Sequence, residues 1–86
     1  MDGGIKVLET ARMTEYTRDG KRHRVGGPAV TLRYKNGQVE YQGWYQNGVR
    51  TRKNDQPAEI QYGEDGRITG RAWFKDGLLG RDKDNP

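Results

Sequence analysis

A chain of 86 residues, 30% hydrophobic and 33% charged with a formal net charge of +4, has the length of one small domain and the apolar content for only a thin core, a single sheet covered on one face. The lack of Cys excludes a disulfide framework and thiolate metal sites. No run nears the ~20 apolar residues of a membrane span and Met1-Asp2-Gly3-Gly4 has no signal-peptide character, so a cytoplasmic protein without membrane contact is expected.

Residues 1–15 precede any repeating pattern and read as an N-terminal cap strand, with either Ile5 and Val7 or Ala11 and Met13 toward the core. From Tyr16 onward the sequence repeats. Trp44-Tyr45-Gln46-Asn47-Gly48 recurs 29 residues on as Trp73-Phe74-Lys75-Asp76-Gly77. Gly37 and Gly66, Ala29 and Ala58, and Pro28, Pro57 and Pro86 share that offset. A weaker copy, Tyr16-Thr17-Arg18-Asp19-Gly20, lies 28 residues before Trp44. Identities at a fixed offset mark stacked structural units. Unit one is 16–43, unit two 44–72 and a partial unit three 73–86, two and a half units in a single repeat domain over 1–86.

Each unit carries hairpin punctuation. Asp19-Gly20, Asn36-Gly37, Asn47-Gly48, Asp65-Gly66 and Asp76-Gly77 are pairs that accept the positive φ of primed turns. The segments between them alternate with a period of two. The predicted covered face is Leu32, Tyr34, Val39, Tyr41, Tyr45, Ile60, Tyr62, Ile68 and Phe74, with Leu32 and Tyr34 matched to Ile60 and Tyr62. No window carries the period of a long amphipathic helix. The expected fold is therefore all-β, an antiparallel β-meander of repeated hairpins, largely a single open sheet. Burial of a large side chain stabilises by about 1.5–3 kcal/mol, which over so few residues offsets chain ordering narrowly, so a partner or a second copy is expected to add stability. Tyr16, Trp44 and Trp73 fall on the opposite face, beside the recurring prolines. They form either a minor second core beneath the loops or an exposed aromatic row that binds.

Trp44-Tyr45-x-Asn47-Gly48-x-x-x-Arg52 followed by Asp55-x-Pro57-Ala58 resembles the MORN-like repeat variants of bacterial and phage proteins, which have the form Trp-Tyr-x-Asn-Gly, a basic segment, Asp-Gly-Pro-Ala and a Tyr-x-x-Gly hairpin. The likeness covers residues 16–86. It implies a β-hairpin array that serves as an interaction module without catalysis, in some bacterial members as the antitoxin of a toxin–antitoxin pair. The chain departs from the pattern at Tyr16, at Gly26-Gly27-Pro28-Ala29, which lacks the Asp, and at Gln56, where Gly is usual.

Catalysis by a side-chain nucleophile needs a base beside it. His23, the sole His, lies in the run Lys21-Arg22-His23-Arg24 and aligns with Arg52, which places it on a surface loop. Glu64-Asp65 belongs to a turn, the glycines follow turns and not a phosphate loop, and the ligands of a zinc or calcium site are lacking. The chain is expected to be no enzyme and to hold no cofactor or metal.

A basic segment follows each turn: Lys21, Arg22 and Arg24, then Arg50, Arg52 and Lys53, then Arg81 and Lys83. Stacked units would align these as a stripe along one sheet edge, extended by Arg67, Arg71 and Lys75 on the Trp face. The candidate partner surface is thus Tyr16, Trp44 and Trp73 with Arg22, Arg24, Arg50, Arg52, Lys53, Arg71 and Arg81. Asp19, Asp55, Asp82 and Asp84 could neutralise the stripe locally. Alternatively it receives an acidic protein surface, or it follows a nucleic-acid backbone with Trp44 and Trp73 stacking on bases. The expected function is a non-catalytic protein-interaction module, of the kind found in small phage or bacterial accessory, inhibitor or antitoxin-like proteins. Nucleic-acid binding and a structural, self-associating subunit paired through open sheet edges are the alternatives.

Overall fold

The computed structural model describes residues 4–54, 56–75 and 78–81, with the backbone alone for 75 and 78–81. Ten strands follow one another: β1 (Ile5–Glu9), β2 (Met13–Arg18), β3 (Lys21–Arg22), β4 (Val30–Arg33), β5 (Val39–Gly43), β6 (Tyr45–Gln46), β7 (Val49–Arg50), β8 (Glu59–Tyr62), β9 (Ile68–Lys75) and β10 (Leu78–Arg81). Eight form one open antiparallel sheet in the order β1-β2-β4-β5-β8-β9-β10 with β3 added to β2, while β6 and β7 pair separately. The described residues contain no helix, and extents of 42 × 33 × 16 Å fit a molecule one sheet thick. The all-β, open-sheet fold expected from the alternation and the turns is the one observed.

The repeat is carried by backbone hydrogen bonds. Tyr34 N–H donates to Gln38 O and Gly63 N–H to Arg67 O, each at 2.8 Å. Gly37 N–H donates to Tyr34 O at 2.9 Å and Gly66 N–H to Gly63 O at 3.0 Å. Ala29 N–H meets Gly43 O at 2.8 Å, and Ala58 N–H meets Ala72 O at 2.9 Å. Each second bond lies 29 residues beyond the first. The register shifts repeat too, at Leu32/Arg33 in β4–β5 and at Gln61/Tyr62 in β8–β9.

The Asx-Gly pairs serve two kinds of turn, not the one kind predicted. Asp19 and Gly20 (φ 53° and 78°) and Asn47 and Gly48 (φ 52° and 82°) both have positive φ and join directly paired strands, as a primed two-residue turn requires. At Asn36-Gly37 and Asp65-Gly66 only the glycine is left-handed (φ 90° and 88°). Here Asn36 Oδ1 accepts Gln38 N–H at 2.8 Å and Asp65 Oδ1 accepts Arg67 N–H at 3.0 Å. These are type I turns that close into a glycine bulge. Asp76-Gly77 lies outside the described residues.

Strand pairing and the bulges also correct the predicted covered face. Directly paired residues share a face of an antiparallel sheet. Pairing joins Met13, Leu32, Tyr41, Gln61 and Gly70 on one face, and Thr14, Thr31, Gln42, Ile60 and Arg71 on the other. Ile60 and Tyr62 therefore lie opposite Leu32 and Tyr41, because Leu32 corresponds to Gln61 at offset 29 and not to Ile60 at offset 28. Val39 pairs with Arg33, and Ile68 with Tyr62, both past a bulge and on that second face, and Ile68 is 45% exposed. The observed core is smaller: Ala29, Val30 and Tyr45 are buried, with Leu32 and Tyr41 packed against them. Ala58, equivalent to Ala29, has no exposure.

Candidate functional site

At the end of the main ladder β2 and β5 run on into short hairpins, and the basic segments fold back over them. His23 N–H donates to Tyr16 O at 3.0 Å and Thr51 N–H to Trp44 O at 3.1 Å. The next residue in each unit is an arginine, eight positions beyond the aromatic. Arg24 Cζ lies 4.0 Å from the Tyr16 ring centroid and Arg52 Cζ 3.8 Å from that of Trp44. Both guanidinium groups also donate to a proline carbonyl, Arg24 Nη1 to Pro28 O at 3.3 Å and Arg52 Nη1 to Pro57 O at 3.1 Å. Gly27 leaves room for the first stack, since a Cβ there would sit 3.0 Å from Arg24 Cζ.

A second pair of arginines links consecutive units. Arg22 lies 5.3 Å from the Tyr45 ring centroid and Arg50 4.6 Å from that of Phe74. Arg22 Nε donates to Glu15 Oε2 at 2.8 Å, and Arg50 Nη1 to Glu59 Oε2 at 2.7 Å. Glu59 also accepts the Tyr41 hydroxyl at 2.9 Å. Backbone bonds from Arg24 N–H to Tyr45 O (3.2 Å) and from Gly48 N–H to Arg22 O (2.8 Å) complete the join between units one and two.

His23 belongs to this join and not to a surface loop. It is 7% exposed, and its Nδ1 accepts Asn47 N–H at 3.0 Å, which fixes the ring as the tautomer with Nδ1 unprotonated. The misplacement came from aligning His23 with Arg52, whereas backbone bonding matches it to Thr51.

Local electrostatics follow the contacts. The hydrogen bond to Glu15 outweighs burial and raises the Arg22 pKa. Desolvation lowers that of Arg52, whose charge is packed against Trp44. Burial first, then hydrogen bonds with Tyr45 and Glu59, push the Tyr41 hydroxyl well above its ordinary range.

Between the loops at 24–28 and 51–56 lies an open groove of about 490 Å³, lined by Trp44 together with Arg24, Arg52 and Lys53. Gly26, Gly27 and Pro28 form one bank, and the described lining residues include no carboxylate. Of the sequence-derived surface, the fold thus gathers Trp44, Arg24, Arg52 and Lys53 at one site, with Tyr16 beneath Arg24. It pairs Arg22 with Glu15 and Arg50 with Glu59. Arg71 stands on β9 opposite Ile60, outside the groove. The β10 backbone at Arg81 pairs with Trp73, keeping the eight-residue spacing, while the Arg81 side chain, Asp55, Asp82, Asp84 and Lys83 lie outside the described residues. That spacing was the readable signal for the stacks. The contribution of Gly26, Gly27 and Pro28 had none, because it arises from the approach of two loops.

These features define a protein of repeated hairpins, mostly in one open sheet, stapled by arginine–aromatic stacks around an open cationic groove. Comparison with protein-family models, curated proteins and solved structures finds no match.

Proposed function

We propose that the chain is a non-catalytic protein-interaction module that holds an acidic segment of its partner in the groove above Trp44. One observation carries the reading: three cationic side chains and a Trp line the groove. An acidic peptide would complement that charge while its apolar side chains cover the indole edge. The expected resemblance to MORN-like variants supports an interaction role, as in small phage or bacterial accessory proteins. Nucleic-acid tracking is less favoured, because affinity for a phosphate backbone grows with the number of free cations. Arg22 and Arg50 are paired to carboxylates, and Arg52 occupies one face of Trp44.

Calorimetric titration with a glutamate-rich peptide and with a single-stranded oligonucleotide tests the reading. The peptide is expected to bind and to lose about tenfold in affinity on Lys53→Glu, by the effect of a like charge at a contact. Salt-sensitive binding of the oligonucleotide with no binding of the peptide would replace protein by nucleic acid as the partner.

A further inference from the structure

We infer that β1 is the contact strand of a two-fold dimer, pairing antiparallel with β1 of a second copy about Val7. The inference is independent of the groove. β1 stands at the end of the strand order and, among the described residues, pairs only with β2. Val7 is 53% and Leu8 51% exposed, apolar side chains on both faces of a straight strand with no Pro and no bulge, the kind of edge that accepts another strand.

Backbone bonding fixes which groups face outward. Thr10 N–H donates to Met13 O at 2.7 Å. Hydrogen-bonded and non-bonded pairs alternate along an antiparallel ladder, so Leu8–Glu15 and Lys6–Thr17 are the bonded pairs of β1 with β2. On β2, Tyr16 N–H points away from β1 and donates to Ala29 O at 2.7 Å, as the same alternation requires. The amides and carbonyls of Ile5, Val7 and Glu9 therefore point outward. They are symmetric about Val7. A two-fold axis there sets Val7 against Val7 and Ile5 against Glu9, satisfying about six backbone hydrogen bonds. Lys6 then stands opposite Leu8 in a non-bonded pair, and no like charges are directly opposed. No antiparallel register that sets an outward residue against an inward one preserves this bonding.

The other end of the sheet explains why the occupant is a single second copy. β10 pairs with β9 through a register shift between Leu79 and Arg81, and such an irregularity blunts strand addition. Among the described residues this leaves β1 as the regular end strand of the main sheet, and pairing through that one edge gives a closed, isologous dimer instead of an open-ended array.

Sedimentation of the full chain tests the inference, with disulfide trapping to read the register. The wild-type chain is expected to double its apparent mass as concentration rises. Val7→Pro, which removes an outward N–H and no bond to β2, is expected to remain monomeric with an unchanged β-sheet circular dichroism spectrum. An equimolar mixture of Lys6→Cys and Leu8→Cys is expected to cross-link under mild oxidation, several-fold more than either variant alone, because position 6 lies opposite position 8 and neither lies opposite itself. A wild-type chain that stays monomeric at all concentrations overturns the proposal. So does cross-linking of either single variant equal to that of the mixture.

Discussion

The junction between units one and two and the junction between units two and three solve the same closure with different side chains. In both, a basic segment returns over the preceding aromatic and an arginine reaches the next unit, to Tyr45 in one case and to Phe74 in the other. The carboxylate that receives this arginine changes place. Glu15 lies on β2, before the primed turn, whereas Glu59 lies on β8, after the loop. His23 reaches across the first junction to Asn47, while the equivalent position in the second is Thr51, whose N–H donates to Trp44 O. Tyr41 adds its hydroxyl to Glu59, and its counterpart in the next hairpin is Gly70. The repeated backbone bonds demand little of residue identity, so the units stay alike in path while their contacts diverge.

The most damaging change should be at Gly43. A Cβ there would lie 2.7 Å from the Tyr41 hydroxyl and 2.9 Å from Tyr45 Cε1, because Tyr41 crosses this position to reach Glu59. Ala72 fills the equivalent site, where Gly70 leaves space. Gly43→Val is expected to cost about 3 kcal/mol of stability by overpacking, and Ala72→Gly about 1 kcal/mol. A loss at Gly43 no larger than that at Ala72 in urea denaturation would mean that Tyr41 and Tyr45 do not crowd the Gly43 site.

Next come the carboxylates. Glu59→Ala strands two donors, Arg50 and Tyr41, and is expected to cost about 1–2 kcal/mol, against about 0.5–1 kcal/mol for Glu15→Ala, values lowered by the partial exposure of both arginines. Removing Arg52 is expected to cost about 1 kcal/mol and to shift Trp emission to longer wavelength as Trp44 gains water. Arg24→Ala, over Tyr16, should cost less, since Trp is the stronger partner for a cation, and should leave the Trp spectrum unchanged.

The smallest effect appears only in alkali. Because burial and its hydrogen bonds raise the Tyr41 pKa, the folded chain keeps this proton at pH values where the unfolded chain releases it. Stability is expected to be insensitive to Tyr41 below about pH 10 and to fall above it. Tyr41→Phe should remove that component, read as a smaller loss of urea midpoint between pH 9 and pH 11. An identical loss in both chains would place the Tyr41 hydroxyl in water.

Local signals were enough for the fold class. Alternation of period two, five Asx-Gly pairs and the recurrence of Trp44 at Trp73 specify antiparallel hairpins, because turn conformation and side-chain alternation depend on residues near in sequence. The eight-residue spacing of Tyr16 and Arg24, and of Trp44 and Arg52, was also present in the chain. Tertiary structure decided what depends on pairing between distant segments. The bulges at Leu32/Arg33 and Gln61/Tyr62 reverse the alternation and move Val39 and Ile68 to the other face, while one residue of offset between repeats does the same for Ile60 and Tyr62. Burial of His23, the choice of Glu15 and Glu59 as partners, and the meeting of residues 24–28 with 51–56 around Trp44 follow from how units stack. No local preference encodes a contact whose two halves are brought together only by the register of the sheet between them.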